Sequence, residues 1–408
     1  MARTATKTEQ FEHNEKQRFT VRDGGVKSPR VKAKAQTKRF YDYTLLFVVV
    51  FLTVFGLVMI YSASSYRAQI LYGDPIYFMK KQLYIGGGGL AIMLVISRLD
   101  YHWYAKFAGL GFVVSVGLMA CVSVFGKVYN GRRRWLEVGP VQLQPTEVVK
   151  IALIVLIATM LTKMGSEINR LKNVALVAGA SAVLIIPVAI NNLSSGIILA
   201  GIVFIMLFIV CRKRWPFAAF GVAGVLGGIY AVPAAKWLNG VGVLKDYQMR
   251  RINVWVNPEL YATTGGYQVL QGLYAIGSGG VFGKGLGESI QKLGFLPEPQ
   301  NDMIFSIICE ELGLFGAISI ILIFMFMIYR FMVISSNAPD LFGALLVVGV
   351  MGHIMLQVIL NIAVVTNTIP NTGITLPFIS YGGTSVLFLM LEMGMVLSVS
   401  NQIRVKVQ

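Results

Sequence analysis

After residue 42 the chain reads as a succession of apolar runs, each near the roughly 20 residues that cross the hydrocarbon of a bilayer. They fall at about 43–63, 79–97, 104–126, 146–163, 173–191, 193–211, 215–236, 302–330, 341–366 and 380–400. The fifth and sixth are separated only by Asn191 and Asn192, a tight hairpin. The pattern predicts an all-α polytopic membrane protein of about ten transmembrane helices. A long loop, 237–301, joins spans seven and eight. Before the last span, Thr368 to Ser385 interrupts the apolar pattern with prolines and glycines. Broken backbone at membrane depth is tolerated only where protein or a water-filled cavity satisfies it, so a re-entrant loop is expected there. Residues 1–42 read as a disordered basic cytoplasmic tail, 43–400 as the membrane domain and 401–408 as a short cytoplasmic C-terminal tail.

Composition supports this. Hydrophobic types make up 55% of the 408 residues and charged types 13%, about half the share usual in soluble domains. Mean hydropathy is +0.67. Extensive disorder and a soluble α/β enzyme are excluded. The net charge of +17 suggests nucleic acid at first, but eleven of the 36 Lys and Arg residues lie before residue 42. That tail has no apolar core of a signal peptide. It fits the positive-inside rule and anionic lipid, rather than RNA. Ten spans then place both termini in the cytoplasm, where Arg212, Lys213 and Arg214 also fall. Cys121, Cys211 and Cys309 sit in apolar runs without metal or disulfide spacing, and His353 reads as a satisfied helix contact.

Some cations lie on the wrong side for that rule. The outer 126–144 loop carries Lys127, Arg132, Arg133 and Arg134, and the long outer segment carries Lys245, Arg250, Arg251, Lys284 and Lys292. Cations kept there suggest an anionic ligand; anionic outer-leaflet lipid or an acidic partner is the rival explanation. The Gly86–Gly89 run lacks the flanks of a phosphate loop and suits close helix packing, while Gly283–Gly287 reads as a turn. Ionisable residues in apolar spans are costly unless paired or functional. Glu147 and Lys150 share one helical face, able to pair or to share a ligand. Asp302 opens the eighth span, where a carboxylate is favoured by free N–H groups. Glu310 and Glu311 lie about 12 Å deeper by helical rise, on other faces, and read as buried pairing groups.

The motifs Gly131-Arg132-Arg133-Arg134-Trp135, Gln144 to Lys150, Tyr247 to Ile252, Gly266-Tyr267-Gln268, Leu296 to Gly313 and Pro370 to Ser385 resemble, in order, the signatures of the SEDS family (shape, elongation, division and sporulation proteins). The resemblance implies a peptidoglycan glycosyltransferase polymerising lipid II outside the cytoplasmic membrane, most like the cell-division branch. It implies a class B penicillin-binding protein (transpeptidase) and other division proteins as partners, at the division septum. Two departures stand out. An aspartate common between spans five and six is replaced by Asn192, within Asn191-Asn192-Leu193-Ser194-Ser195. Where relatives carry His-Thr-Asp, this chain has Gln300-Asn301-Asp302, so catalytic weight shifts to Asp302.

A mechanism follows from the same residues. A lipid pyrophosphate leaving group needs cations where charge develops, and Arg133, Arg134, Arg250, Arg251 and Lys150 can supply them. Glu147, Gln268, Lys284 and Ser380 complete the expected substrate side, Ser380 as a loop hydrogen-bonding residue rather than a nucleophile. The attacking sugar hydroxyl needs a base, and Asp302 is the candidate. Direct displacement of an α-linked pyrophosphate inverts the anomeric centre and gives a β-1,4 glycan. An ordinary aspartate is a weak base, so desolvation or a divalent cation (Mg2+ or Mn2+) is expected to tune it. No organic cofactor and no nucleic acid are implied. A lipid II flippase, an elongation or sporulation polymerase, and a non-enzymatic scaffold are the alternatives.

Overall fold

A computed structural model describes residues 37–129, 132–138, 141–241 and 246–406. Arg39–Val405 makes one compact unit. The long apolar runs fold as helices because a helix satisfies its backbone N–H and C=O groups internally, which lipid demands, while its apolar side chains face the hydrocarbon or one another. They are α1 (Tyr43–Tyr72), α2 (Tyr77–Ile96), α3 (His102–Phe125), α4 (Pro145–Met164), α5 (Leu171–Asn191), α6 (Leu193–Val210) and α7 (Trp215–Ile229). The shorter α8 (Ala231–Gly240), α9 (Asp246–Val256) and α10 (Tyr267–Ser278) follow, then α11 (Ile304–Ser336), α12 (Leu341–Val365) and α13 (Thr384–Gln402).

Among the described residues, eight helices are long and apolar enough to cross a membrane: α1, α3, α4, α5, α6, α11, α12 and α13. Ten were expected. Of the other two, α2 carries Lys80 and Lys81 near its start, and α7 is cut to 15 residues where the helix breaks at Tyr230. Fifteen residues rise about 22 Å, short of the roughly 30 Å hydrocarbon. The expected single run 215–236 is therefore two helices. The expected loop at 237–301 is also partly helical, containing α9 and α10.

The 126–144 segment, read from sequence as a loop, folds as three short antiparallel strands: β1 (Lys127–Tyr129), β2 (Arg132–Val138) and β3 (Val141–Leu143). Val128 pairs with Arg133, and Glu137 with Gln142. The Asn130-Gly131 dipeptide between β1 and β2 is the hairpin signal that sequence reading passed over.

Contacts sort the helix ends into two sets. At the end where Phe40 N–H donates to Ile403 O at 2.9 Å, Asp42 caps α1 through Leu45 N–H and pairs with Arg330 at 2.6 Å, while His102 bridges Asp100 and Asp340. The opposite end gathers the β-strands, the α5–α6 hairpin, α8–α10 and the 366–383 segment. There Thr384 Oγ1 donates to Gln142 O at 2.8 Å, and Ser194 Oγ to Thr372 O at 3.1 Å.

Helix α11 is broken at Gly313, whose φ of 67° and ψ of −165° are non-helical. The break frees backbone groups, and the 279–285 turn satisfies them. Lys284 and Gly285 N–H donate to Glu310 and Glu311 carbonyls at 2.9 and 3.0 Å. In return, Leu314 and Phe315 N–H donate to Gly280 and Val281 carbonyls at 2.9 and 3.1 Å. The side chains of both glutamates are consumed as expected: Glu310 pairs with Lys284 at 2.7 Å, and Glu311 with Lys292 at 2.8 Å. Ser62 of α1 adds a 2.6 Å hydrogen bond to Glu311, tying the first helix to this joint.

Glycine sets two close approaches. In the Gly86–Gly89 run, Gly89 lies against Met390 of α13, so α2 and α13 pack at short range. A Cβ added at Gly87 or Gly88 would meet nothing within 4 Å. Gly56 of α1 faces the broken segment, and a Cβ there would stand 2.7 Å from both Ile379 Cα and Phe378 O. Backbone cannot yield as a side chain tip can. Gly56→Ala is expected to destabilise the fold by about 1–3 kcal/mol, read as a lowered thermal midpoint in detergent; an unchanged midpoint would contradict the packing.

Candidate active site

The site is built from the 366–383 segment, α9, α10 and the turn that precedes α11. Helix α11 starts at Ile304 without a side-chain cap, so Asp302 sits in the turn and its carboxylate is not spent on capping. Asn361, fully buried on α12, holds that turn: its Nδ2 donates to Asp302 O at 2.9 Å and to Ile374 O at 2.7 Å. One turn away, Gln357 Nε2 donates to Thr375 O at 3.0 Å. Two amides on one helical face thus pin the Asp302 turn and the broken segment together.

Around the Asp302 carboxylate, Gln268 Nε2 of α10 approaches Oδ1 at 3.5 Å, and Asn371 Nδ2 donates to Gln268 Oε1 at 3.2 Å. Arg251 of α9 donates to Asn371 O at 3.0 Å. Gly373, at φ 72°, passes close: a Cβ there would be 3.8 Å from Asp302 Oδ2. Burial pushes the Asp302 carboxyl up from 3.8 to about 6; its own backbone N–H opposes the rise, Glu298 adds to it, and Arg251 and the Met303 N–H oppose it. A carboxylate at about 6 is roughly two-thirds of the way from 3.8 to the neutral pH at which a general base is ideally poised.

The other expected residues distribute as follows. Arg251 and Gln268 join Asp302. Arg250 is exposed on α9 beside Arg251. Arg134, on β2, reaches Asn191 O at 3.4 Å through Nε, and Ser194 of the next helix bonds Thr372, next to Asn371. The side chain of Arg133 lies outside the described residues. Lys284 is held by Glu310 and Ser278. Ser380 Oγ accepts from Leu376 N–H at 2.8 Å and is buried, so it shapes the loop as read from sequence.

Glu147 and Lys150 do not join Asp302. They pair at 2.8 Å, and Lys150 Nζ also meets His353 Nε2 at 3.0 Å. On the far side, His353 Nδ1 meets Glu392 Oε2 at 2.8 Å. Lysine has donors only, so Nε2 accepts and Nδ1–H donates to Glu392, a tautomer assigned from this network. All four side chains are buried, joining α4, α12 and α13. Sequence reading found three of these residues and missed Glu392, whose position in an apolar span was the available signal.

Among the described residues no three His, Cys, Asp or Glu side chains converge as a metal site. Near Asp302 the described groups are its own carboxylate, the Glu298 carboxylate and neutral amides, with the Arg251 guanidinium among them. That set does not make a resident metal centre, and no step is routed through one.

A model of the FtsW/RodA/SpoVE cell cycle proteins matches residues 43–405. The chain belongs to this family. It is 37% identical to stage V sporulation protein E of Bacillus subtilis over 368 residues, 89% of this chain and 98% of that one. It is also 37% identical to the probable peptidoglycan glycosyltransferase FtsW of Trichlorobacter lovleyi, across 88% of this chain and 93% of the relative. Its fold matches, with a TM-score of 0.73 and 26% identity, a chain of a peptidoglycan synthase complex that coordinates polymerization and crosslinking. That match spans 89% of this chain and 98% of the other. The Thermus thermophilus rod shape determining protein RodA shares the fold at a TM-score of 0.64.

Proposed function

We propose that this family member is a peptidoglycan glycosyltransferase that polymerises lipid II into β-1,4 glycan strands at the outer face of the cytoplasmic membrane. The observation that carries the reading is the Asp302 carboxylate in its turn, raised to about 6 by burial and flanked by Gln268, Asn371 and Arg251. In the step, the 4-hydroxyl oxygen of the acceptor sugar attacks C1 of the donor sugar. Its proton passes to the Asp302 carboxylate, the C1–O bond to phosphate breaks, and undecaprenyl pyrophosphate leaves with the bonding electrons. Arg251 and Arg250, with Arg134 across the hairpin, supply positive charge for that leaving group. Attack opposite the leaving group inverts C1.

The transpeptidase that cross-links the strand is proposed as a class B penicillin-binding protein, in keeping with the synthase complex that this fold matches. Division at the septum is the role proposed first, with both termini in the cytoplasm. The sporulation relative supports a second reading, in which the same chemistry serves the spore wall. A lipid II flippase is disfavoured, because the cationic residues near Asp302 gather at one end of the bundle.

The pH profile tests the base. Asp302 must be ionised to accept the proton, and its carboxyl titrates near 6. The rate of lipid II consumption is expected to be level near pH 7.5 and to fall about tenfold per unit below 6. A rate unchanged down to pH 5 would contradict the assignment.

A further inference from the structure

Beside the Asp302 corner stands a group of aromatic rings that the mechanism above does not use. Helix α1 ends at Tyr72, and α2 begins with Tyr77 and Phe78. The Tyr72 and Tyr77 rings stack, with centroids 3.9 Å and planes 12° apart. Phe78 stands edge-on to both at 5.8 and 5.4 Å, and edge-on to Tyr381 at 5.2 Å. Lys81 Nζ lies 4.4 Å from the centroid of the Tyr77 ring. An ammonium and a stacked ring at such distances cannot share one face, so both faces of Tyr77 are covered. The open face is the outer one of Tyr72, which is 52% exposed.

This ledge is joined to the catalytic turn. Tyr381 N–H donates to Gln300 O at 2.9 Å, two residues before Asp302. On the α1 side, Arg67 reaches Glu298 at 3.6 Å. Rings at span ends are also what a membrane interface selects. Here three chain segments brace one open ring, and the bracing runs into the turn that carries the base.

The chemistry of the ledge fits a saccharide. A pyranose ring presents C–H groups on its faces and hydroxyls at its rim, and positively polarised hydrogens favour the negative face of an aromatic ring. Lys80 is paired with Asp74 at 2.9 Å, and exposed Lys81 beside the Tyr77 ring is the cation left to favour an anionic glycan, such as one bearing peptide carboxylates. A polymerase must also keep its product beside the reactive pair between additions. We propose that the outer face of Tyr72, supported by Tyr77, Phe78 and Tyr381, is a saccharide subsite for the growing glycan strand. The proposal rests on the polymerase reading above.

The test uses the full chain with its cognate transpeptidase, labelled lipid II and, separately, soluble N-acetylglucosamine–N-acetylmuramic acid oligomers. Tyr72→Ala is expected to weaken oligomer binding and raise KM on the order of 2- to 10-fold, the span of an aromatic contact. Strands should shorten while kcat holds, and Tyr72→Trp should restore both length and binding. Equal strand lengths and equal oligomer binding in Tyr72→Ala would overturn the subsite. So would a Tyr72→Trp variant as impaired as Tyr72→Ala, or a lowered thermal midpoint with binding unchanged, which marks a lipid anchor. Failure of the polymerase reading shows differently: no strands from the parent protein, whatever Tyr72 does to oligomer binding.

Discussion

Asp302→Asn is expected to lower lipid II polymerisation by about 10²- to 10⁴-fold, the share that a positioned base contributes. The substitution keeps the shape of the side chain and leaves an oxygen able to accept from Gln268, so KM should change little. Asp302→Glu, one methylene longer, should keep the charge but misplace it, giving an intermediate rate. Stability should move the other way. A carboxyl raised from 3.8 to about 6 holds its proton more tightly in the folded state. Ionisation above pH 6 therefore opposes folding, by up to about 3 kcal/mol at about 1.4 kcal/mol per unit, and that cost vanishes below the unfolded value. The asparagine variant is thus expected to be as stable as the parent at pH 7, or more so. A slow variant with a raised or equal thermal midpoint fits a catalytic acid–base group; a slow variant with a lowered midpoint points to a structural one.

Lys150→Met should have the largest effect on stability, about 3–5 kcal/mol. It leaves Glu147, 6% exposed, without its 2.8 Å partner and removes the donor to His353. Uncompensated charge inside the bundle is what makes the loss large, so adding Glu147→Gln should recover part of it. Thermal unfolding in detergent measures both. Equal midpoints for parent and Lys150→Met would show that the pair is not buried as described. The same geometry explains why Lys150 belongs with Glu147, His353 and Glu392 rather than with the leaving group.

Much of this architecture was legible in the chain because lipid imposes one rule on every span. The hairpin at Asn191 and Asn192, the broken segment after Thr368 and the burial of Glu310 and Glu311 all followed from runs of apolar residues and their interruptions. Where that rule weakens, reading failed. Helix α7 stops at Tyr230 although the apolar run continues, and α9 and α10 form in a stretch too polar to span. The Asp302 corner was legible as residue types, since Asp302, Gln268 and Arg251 were each singled out. Their assembly was not, because Asn361 and Asn371 are ordinary amides until tertiary contacts place their donors. Glu147 and Lys150 showed the converse: their i, i+3 spacing fits a pair or a shared ligand equally, and only α12 and α13 reveal the further partners His353 and Glu392.

The most direct test is synthesis of glycan strands from labelled lipid II by the purified chain together with its cognate transpeptidase, beside the Asp302→Asn variant. The account predicts long strands from the parent at pH 7.5 and none above background from the variant. Strands of equal yield from both would remove Asp302 as the base. No strands from either, with lipid II crossing vesicle bilayers instead, would contradict the polymerase itself.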